Sequence, residues 1–367
     1  MTSEKDRLQW VDALRGCAAL CVAYLHITLN YVSHGKLQAS WLTSLTTETF
    51  DAGKFGVVLF FCISGYVIPP TLDSTRLRDT SRFIIGRFFR LYPLYWLSIP
   101  LALLFPWPDA ATTFDTSTVV LNFTMFQGFV GVENVMGLYW TLQVELAFYV
   151  VCIGLSGLGA LHDVRKVVLT SLAFLIVALV MAAVRFALEK KLPVALPLGL
   201  AVMFWASSLR LQRDRYLNSR NGFIALAVLI PIVSILAYSR DYGFDERWDR
   251  YVATYYAAIA IFALAWRTSR PAWRPLAYLG TISYSLYLLH PTVFAALREV
   301  GIDALLLRHL PAAAAMGVQI AVAVGVACVT YSVVEKPFHN IGRLLQRRVS
   351  GTWLAPLRRK PQVSTPE

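Results

Sequence analysis

Apolar residues in this chain come in long runs, broken by short polar stretches, with none of the strict alternation that marks a half-buried strand. Residues 167–188 read VVLTSLAFLIVALVMAAVRFAL, with Arg185 the single charge. A helix rises ~1.5 Å per residue and the hydrocarbon core of a bilayer is ~30 Å thick, so about 20 apolar residues cross it. Ten segments fit that pattern, at about 9–33, 52–70, 88–106, 138–158, 167–188, 193–209, 221–239, 251–266, 276–297 and 311–334. The pattern predicts an all-α, polytopic membrane protein of about ten transmembrane helices, since helices satisfy every backbone group internally in lipid.

Composition agrees. Of the 367 residues, 57% are hydrophobic, above the ~45–50% of soluble domains. The net charge of +12 would suit nucleic acid, but its placement argues against that partner. With ten spans, and with Lys54 and Arg90 at span ends counted with the adjoining loops, 23 of the 34 Lys and Arg fall in one set of alternate loops and 9 in the other, Arg15 and Arg185 lying deeper within spans. The positive-inside rule then places both termini in the cytoplasm. The first span, interrupted by Asp12 and Arg15, is expected to be retained rather than cleaved as a leader. Residues 1–338 read as one transmembrane domain and 339–367 as a basic cytoplasmic tail, loose or resting on anionic lipid. The five cysteines have no metal-ligand or CxxC spacing, so no metal site or disulfide framework is expected.

Candidate chemistry begins in the first span. Arg15 and His26 are eleven residues apart, about three helical turns, which puts them on one stripe ~16 Å apart along the axis. Ionisable groups inside a membrane helix are costly and tend to mark function. His26, with an ordinary pKa near ~6.5, suits a general base; the alternative is a hydrogen bond between helices. Arg15 can bind an anionic ligand, pair with Asp12, or snorkel to the headgroups. Arg87 and Arg90, at i and i+3, can clamp one polyanion or simply anchor the third span. Glu145 sits in the fourth span, suited to pairing with His26 or to satisfying Arg185. In FFCISGYVIP (60–69), Ser64 and Gly65 form a small pair that lets helices approach. In SYSLYLLHP (283–291), Tyr287 and His290 are further polar candidates. Two predicted outer loops, 107–137 and 240–250, are polar and aromatic, able to hold a sugar-like ligand or to serve as interfacial cover.

Together these elements resemble the membrane-bound acyltransferase-3 family: Arg15 to His26, FFCISGYVI, Arg87-x-x-Arg90, WTLQVELAFY, SYSLYLLHP and VEKP, in the family's order from residue 9 to about 338. The resemblance implies a ten-helix core that takes an acyl group, most often acetyl, from cytoplasmic acyl-CoA to a hydroxyl of a cell-surface or exported polysaccharide or its lipid-linked precursor, in a bacterial inner membrane. The family's basic residue and histidine map onto Arg15 and His26, and its R-x-x-R onto Arg87 and Arg90. Joined to the residue reading, this gives expected catalytic roles for His26, Arg15 and Glu145, donor binding by Arg87, Arg90 and Arg15, and substrate contacts from Ser64, Tyr287 and His290. Acetyl-CoA or another acyl-CoA is the expected donor, a carbohydrate the expected acceptor, and other polysaccharide-assembly proteins the expected partners.

Two other readings stay open. The acceptor can be a small molecule such as a macrolide. From another class, the chain can be a polysaccharide or acyl exporter without chemistry, its intramembrane Arg, His and Glu forming a proton relay. Against export, the halves show no repeat and no paired broken helices.

Overall fold

The computed structural model describes residues 9–33, 35, 49–72, 77–107, 113–211, 217–240, 246–269 and 273–349. Several basic residues of the charge argument (Lys5, Arg7, Lys36, Arg76, Arg213, Arg215 and Arg270) lie outside them, as do 241–245 of the second outer loop and 350–367 of the tail.

Among the described residues the fold is helical throughout. In chain order the helices are α1 (Gln9–Ser33), α2 (Ala52–Val67), α3 (Leu77–Leu104), α4 (Thr116–Asn122), α5 (Tyr139–Gly157), α6 (Val164–Leu188), α7 (Ala195–Leu211), α8 (Leu217–Tyr238), α9 (Trp248–Thr268), α10 (Arg274–Thr281), α11 (Ser283–Glu299), α12 (Ile302–His309), α13 (Ala312–Thr330) and, after a π-helical stretch at Tyr331–Glu335, α14 (Lys336–Val349). Aspartates at loop–helix junctions accept hydrogen bonds from N–H groups that have no partner within the first turn. Asp51 accepts from Lys54 N at 2.7 Å, and Asp163 from Arg165 N at 2.9 Å. Asp115 caps α4, and the Ser117 and Thr118 hydrogen bonds hold its carboxyl below the usual range.

Every segment predicted as a span holds a helix. Among the described residues, six helical stretches are long and apolar enough to cross a membrane: Gln9–Val32, Ala52–Thr71, Tyr139–Gly157, Val164–Leu188, Asn221–Tyr238 and Ala312–Val349; Ala195–Leu211 is apolar but shorter. The segments at 88–106, 251–266 and 276–297 fall to helices outside that group. Arginines and tyrosines of α3, tyrosines of α9, and the serines and His290 of α11 lower their hydropathy, and many of these polar side chains point into the bundle.

The helices meet where side chains are smallest. α1 packs on α2 and α10, and α2 also packs on α7 and α9. A β-carbon on Gly56 would strike the Ala18 carbonyl of α1, and one on Gly65 the Met203 carbonyl of α7. Ser207 closes the second crossing by donating to the Gly65 carbonyl at 2.8 Å. In α10, Gly280 lies against the Asp12 backbone. Without a hydrophobic effect between helices in lipid, such close backbone approach supplies the packing. Gly65 therefore plays the packing part its sequence context predicted.

One boundary differs from the sequence reading. The division at 338/339 cuts through α14, and residues 339–349 form an amphipathic helix packed along α3. Gly342 abuts Phe89, and Gln346 Nε2 donates to the Arg82 carbonyl at 2.7 Å. Phe338, Ile341 and Leu344 stay exposed on its other side. The density of Lys and Arg in this stretch masked an apolar period of three to four residues.

Candidate active site

Helix α1 carries Arg15 and His26 to two different openings. Arg15 lines a cavity of about 380 Å³ with Arg82, Arg87, Arg90, His339 and Arg343. A smaller adjoining cavity of about 230 Å³ shares Arg15, Arg90, His339 and Arg343 and adds Asp12, Glu335 and Lys336. The π-helical stretch brings Tyr331 and Glu335 to its wall. Such insertions occur often at functional sites, because the extra residue re-aims the side chains that follow. Glu335 accepts a hydrogen bond from Ser285 of α11, while Arg15 keeps Asp12 at 3.8 Å.

The arginines differ in how far they are engaged. Arg87 Nη2 donates to Thr71 Oγ1 at 3.2 Å, and its guanidinium lies over the Phe83 and Tyr149 rings. Arg90 borders both basic cavities and a third, narrower space.

That narrower space, of about 70 Å³, is a throat lined by Arg15, Arg90, Ser64, Glu145, Tyr284 and Tyr287, with Phe60 and Phe61. Glu145 accepts from Tyr149 Oη at 2.6 Å. Its expected partners lie elsewhere: His26 bonds to His290, and Arg185 pairs with Glu246 on the far side of the bundle. Ser64 and Tyr287, both expected to contact substrate, do border the throat. Tyr287 is held by Thr141 at 2.7 Å, and Tyr284 Oη donates to the Leu91 carbonyl at 2.8 Å.

Beyond the throat, His26 opens onto a cavity of about 450 Å³. Trp107, Phe105, Phe114 and Trp140 give it aromatic walls, and Glu133, Asn134 and Thr292 give it polar ones. The Trp107 ring stands edge-on to His26 with centroids 5.7 Å apart. Tyr287, 6.4 Å from His290, and Phe61, 6.2 Å from Trp140, separate throat from cavity. His290 is fully buried and lies behind His26, Nδ1 of His26 being 2.7 Å from its Nε2.

Glu133, Asn134 and Trp107 escaped the sequence reading except as members of a polar, aromatic loop, and Trp140 except as the first residue of WTLQVELAFY. Residues 122–134 of that loop are held in place by hydrogen bonds. Tyr92, Tyr95 and Trp96 of α3 donate to the Thr124, Asn122 and Phe123 carbonyls at 2.9, 2.6 and 2.9 Å. Asn134 Oδ1 accepts from both Gln127 and Gln143 at 2.7 Å, which fixes its amide and turns Nδ2 away from those partners. The signal was the spacing of Tyr92, Tyr95 and Trp96 on one turn of a membrane helix, where hydroxyls and indoles need partners.

A family model described as an acyltransferase domain, the acyltransferase-3 model, matches residues 8–334. The chain belongs to the acyltransferase-3 family. No curated protein and no solved structure matches it. The family and the long apolar helices support a membrane-embedded, multi-pass acyltransferase. In this acyltransferase-3 chain the matched region holds Arg15, His26, the throat and the His26 cavity. It ends at Val334, so the His339, Gly342, Arg343 and Gln346 wall of the basic cavity lies past it.

Proposed function

We propose that this acyltransferase spans the bacterial inner membrane ten times with both termini in the cytoplasm, and moves a short acyl group from cytoplasmic acyl-CoA to a hydroxyl of an exported polysaccharide or its lipid-linked precursor. The observation that carries the reading is that one helix joins two unlike cavities, a basic one at Arg15 and an aromatic, polar one at His26, with a narrow throat nearby.

Each half suits one substrate. Arg90, Arg87 and Arg15 offer paired N–H donors to phosphate oxygens, where bidentate guanidinium contacts are strongest. The throat suits a pantetheine arm, and its small volume favours acetyl over long chains. Arg15 and Arg90 line it as well, within reach of the thioester, and Glu145 holds Tyr149 and balances their charge. In the outer cavity, indole faces suit the apolar face of a sugar ring, while Asn134 and Glu133 suit its hydroxyls.

His26 takes the proton of the acceptor hydroxyl as its oxygen forms a bond to the acyl carbon; the carbon–sulfur bond breaks and the thiolate leaves. A positioned general base contributes on the order of 10²–10⁴-fold. The test is purified protein in liposomes with acetyl-CoA on the Arg15 side, wild type beside His26→Ala. The reading expects release of free CoA that falls by at least 10²-fold in His26→Ala while acetyl-CoA binding persists. Equal release by both proteins removes His26 from the chemistry; no binding or release by folded wild type removes the donor, and proton-driven movement of a glycan or acyl compound without CoA release would establish an exporter. A macrolide acceptor acetylated from the Arg15 side would replace the polysaccharide.

A further inference from the structure

The hydrogen-bond chain behind His26 determines which of its nitrogens is basic. His290 Nδ1 lies 2.9 Å from the Leu286 carbonyl oxygen. The Tyr287 carbonyl also faces this ring, for Pro291 has no N–H with which to claim it. A carbonyl only accepts, so His290 Nδ1 carries a proton, and Nε2 of the neutral ring is an acceptor. That acceptor is 2.7 Å from His26 Nδ1. His26 Nδ1 therefore donates, and its Nε2 keeps the lone pair. The opposite assignment sets two lone pairs against each other at 2.9 Å, inside a fully buried site where an unmade hydrogen bond costs most.

We propose that His290 is a positioning residue that fixes His26 in the Nδ1–H tautomer, so that Nε2 is the base presented to the outer cavity. The inference rests on the acyl-transfer reading for its catalytic consequence, though not for the tautomer itself. The near-parallel rings, 15° apart with centroids 5.0 Å apart, also restrict rotation of His26. In the reaction the acceptor O–H bond breaks and its proton goes to His26 Nε2. The resulting imidazolium shares its charge through Nδ1–H with His290 Nε2. The proton then passes from Nε2 to the departing thiolate, giving free thiol and returning the starting tautomer. The arrangement does for a pair of imidazoles what a carboxylate does behind the histidine of a serine hydrolase, where an amide in that place leaves the wrong tautomer and costs ~10⁴-fold in kcat.

The experiment is ¹⁵N NMR of protein labelled at histidine, wild type beside His290→Phe and His290→Gln, with the His26 resonances identified by their loss in His26→Gln among the six histidines. Wild type is expected to show His26 protonated at Nδ1. His290→Phe keeps the ring but loses the acceptor, so His26 shifts toward the commoner Nε2–H form, and kcat falls on the order of 10²-fold or more with the acetyl-CoA KM unchanged. His290→Gln, whose amide can turn either its oxygen or its NH2 toward His26, keeps the Nδ1–H form and the activity together or loses them together. A wild-type His26 protonated at Nε2 overturns the assignment. An unchanged kcat in a folded His290→Phe overturns the positioning role. A wild type that carries the Nδ1–H tautomer and transfers nothing overturns the acyl-transfer reading alone.

Discussion

Asp51 and Arg250 close the bundle between helices distant in sequence: one carboxylate oxygen of Asp51 caps α2 through Lys54 N at 2.7 Å, and the other accepts from Arg250 Nη2 of α9 at 3.0 Å. Both side chains are under one-tenth exposed. The same backbone joins in, since Asp51 N donates to Thr254 Oγ1 at 3.1 Å. Lys54 beside them lies over the Trp140 and Tyr251 rings. The corner thus fixes Trp140, a wall of the His26 cavity.

Asp51→Asn keeps an oxygen for the cap but removes the charge facing Arg250. Breaking a buried pair from one side costs about 3–5 kcal/mol. The expected outcome is a large fall in thermal stability in detergent, with Asp51→Asn closer to Asp51→Ala than to wild type. Equal stability of Asp51→Asn and wild type would mean that the cap alone matters.

Arg90 borders three cavities, whereas Arg87 is already bonded to Thr71 and stacked on two rings. Hydrogen bonds to charged groups are worth about 1.5–3 kcal/mol. Arg90→Ala should therefore weaken acetyl-CoA binding by roughly 10- to 100-fold, more than Arg87→Ala, and flatten its salt dependence. Isothermal titration at two ionic strengths decides; a larger loss in Arg87→Ala reverses the ranking.

Two glycines make a matched pair for packing. Gly65 meets the Met203 backbone, while a β-carbon on Gly154 finds open space. Overpacking costs about 1–3 kcal/mol, so Gly65→Ala should lower the melting temperature and yield. Gly154→Ala should be neutral or stabilising, alanine being the better helix former by about 1 kcal/mol.

α14 supplies Arg343 and His339 to both basic cavities. Arg343→Ala should weaken donor binding several-fold without altering the melting temperature. Gln346→Ala, which removes the bond to the Arg82 carbonyl, should loosen α14 and raise donor KM with little change in kcat. Steady-state kinetics beside a thermal melt separates the two.

Most helices were legible because length and apolarity decide them alone: 167–188 could be little else in lipid. The pairing of Arg15 and His26 on one stripe was legible for the same reason, helical period being a local property. Their environments were not. His26 meets His290 across 264 residues, and no spacing in the chain encodes that contact. Glu145 was placed near His26 because both were ionisable and intramembrane; the rotation of α5, set by packing, turns it instead toward Tyr149 and the arginines. In α14, Arg343, Arg347 and Arg348 read as a solvated tail because charge outweighs a short apolar stripe in any averaged window. Asn134 and Glu133 went unnoticed since a loop's polar residues reveal their use only once the loop is folded against α3.

The narrow throat has an electrical meaning. A resting membrane drives charge with about 2.3 kcal/mol per elementary charge per 100 mV. The throat, of about 70 Å³, is several-fold smaller than the basic and aromatic cavities, of about 380 and 450 Å³. A passage pinched between Phe60, Phe61, Tyr284 and Tyr287, with Arg15 and Arg90 beside them, is a poor path for cations. Under the acyl-transfer reading, an acyl group is handed on at this constriction while the membrane stays sealed to ions.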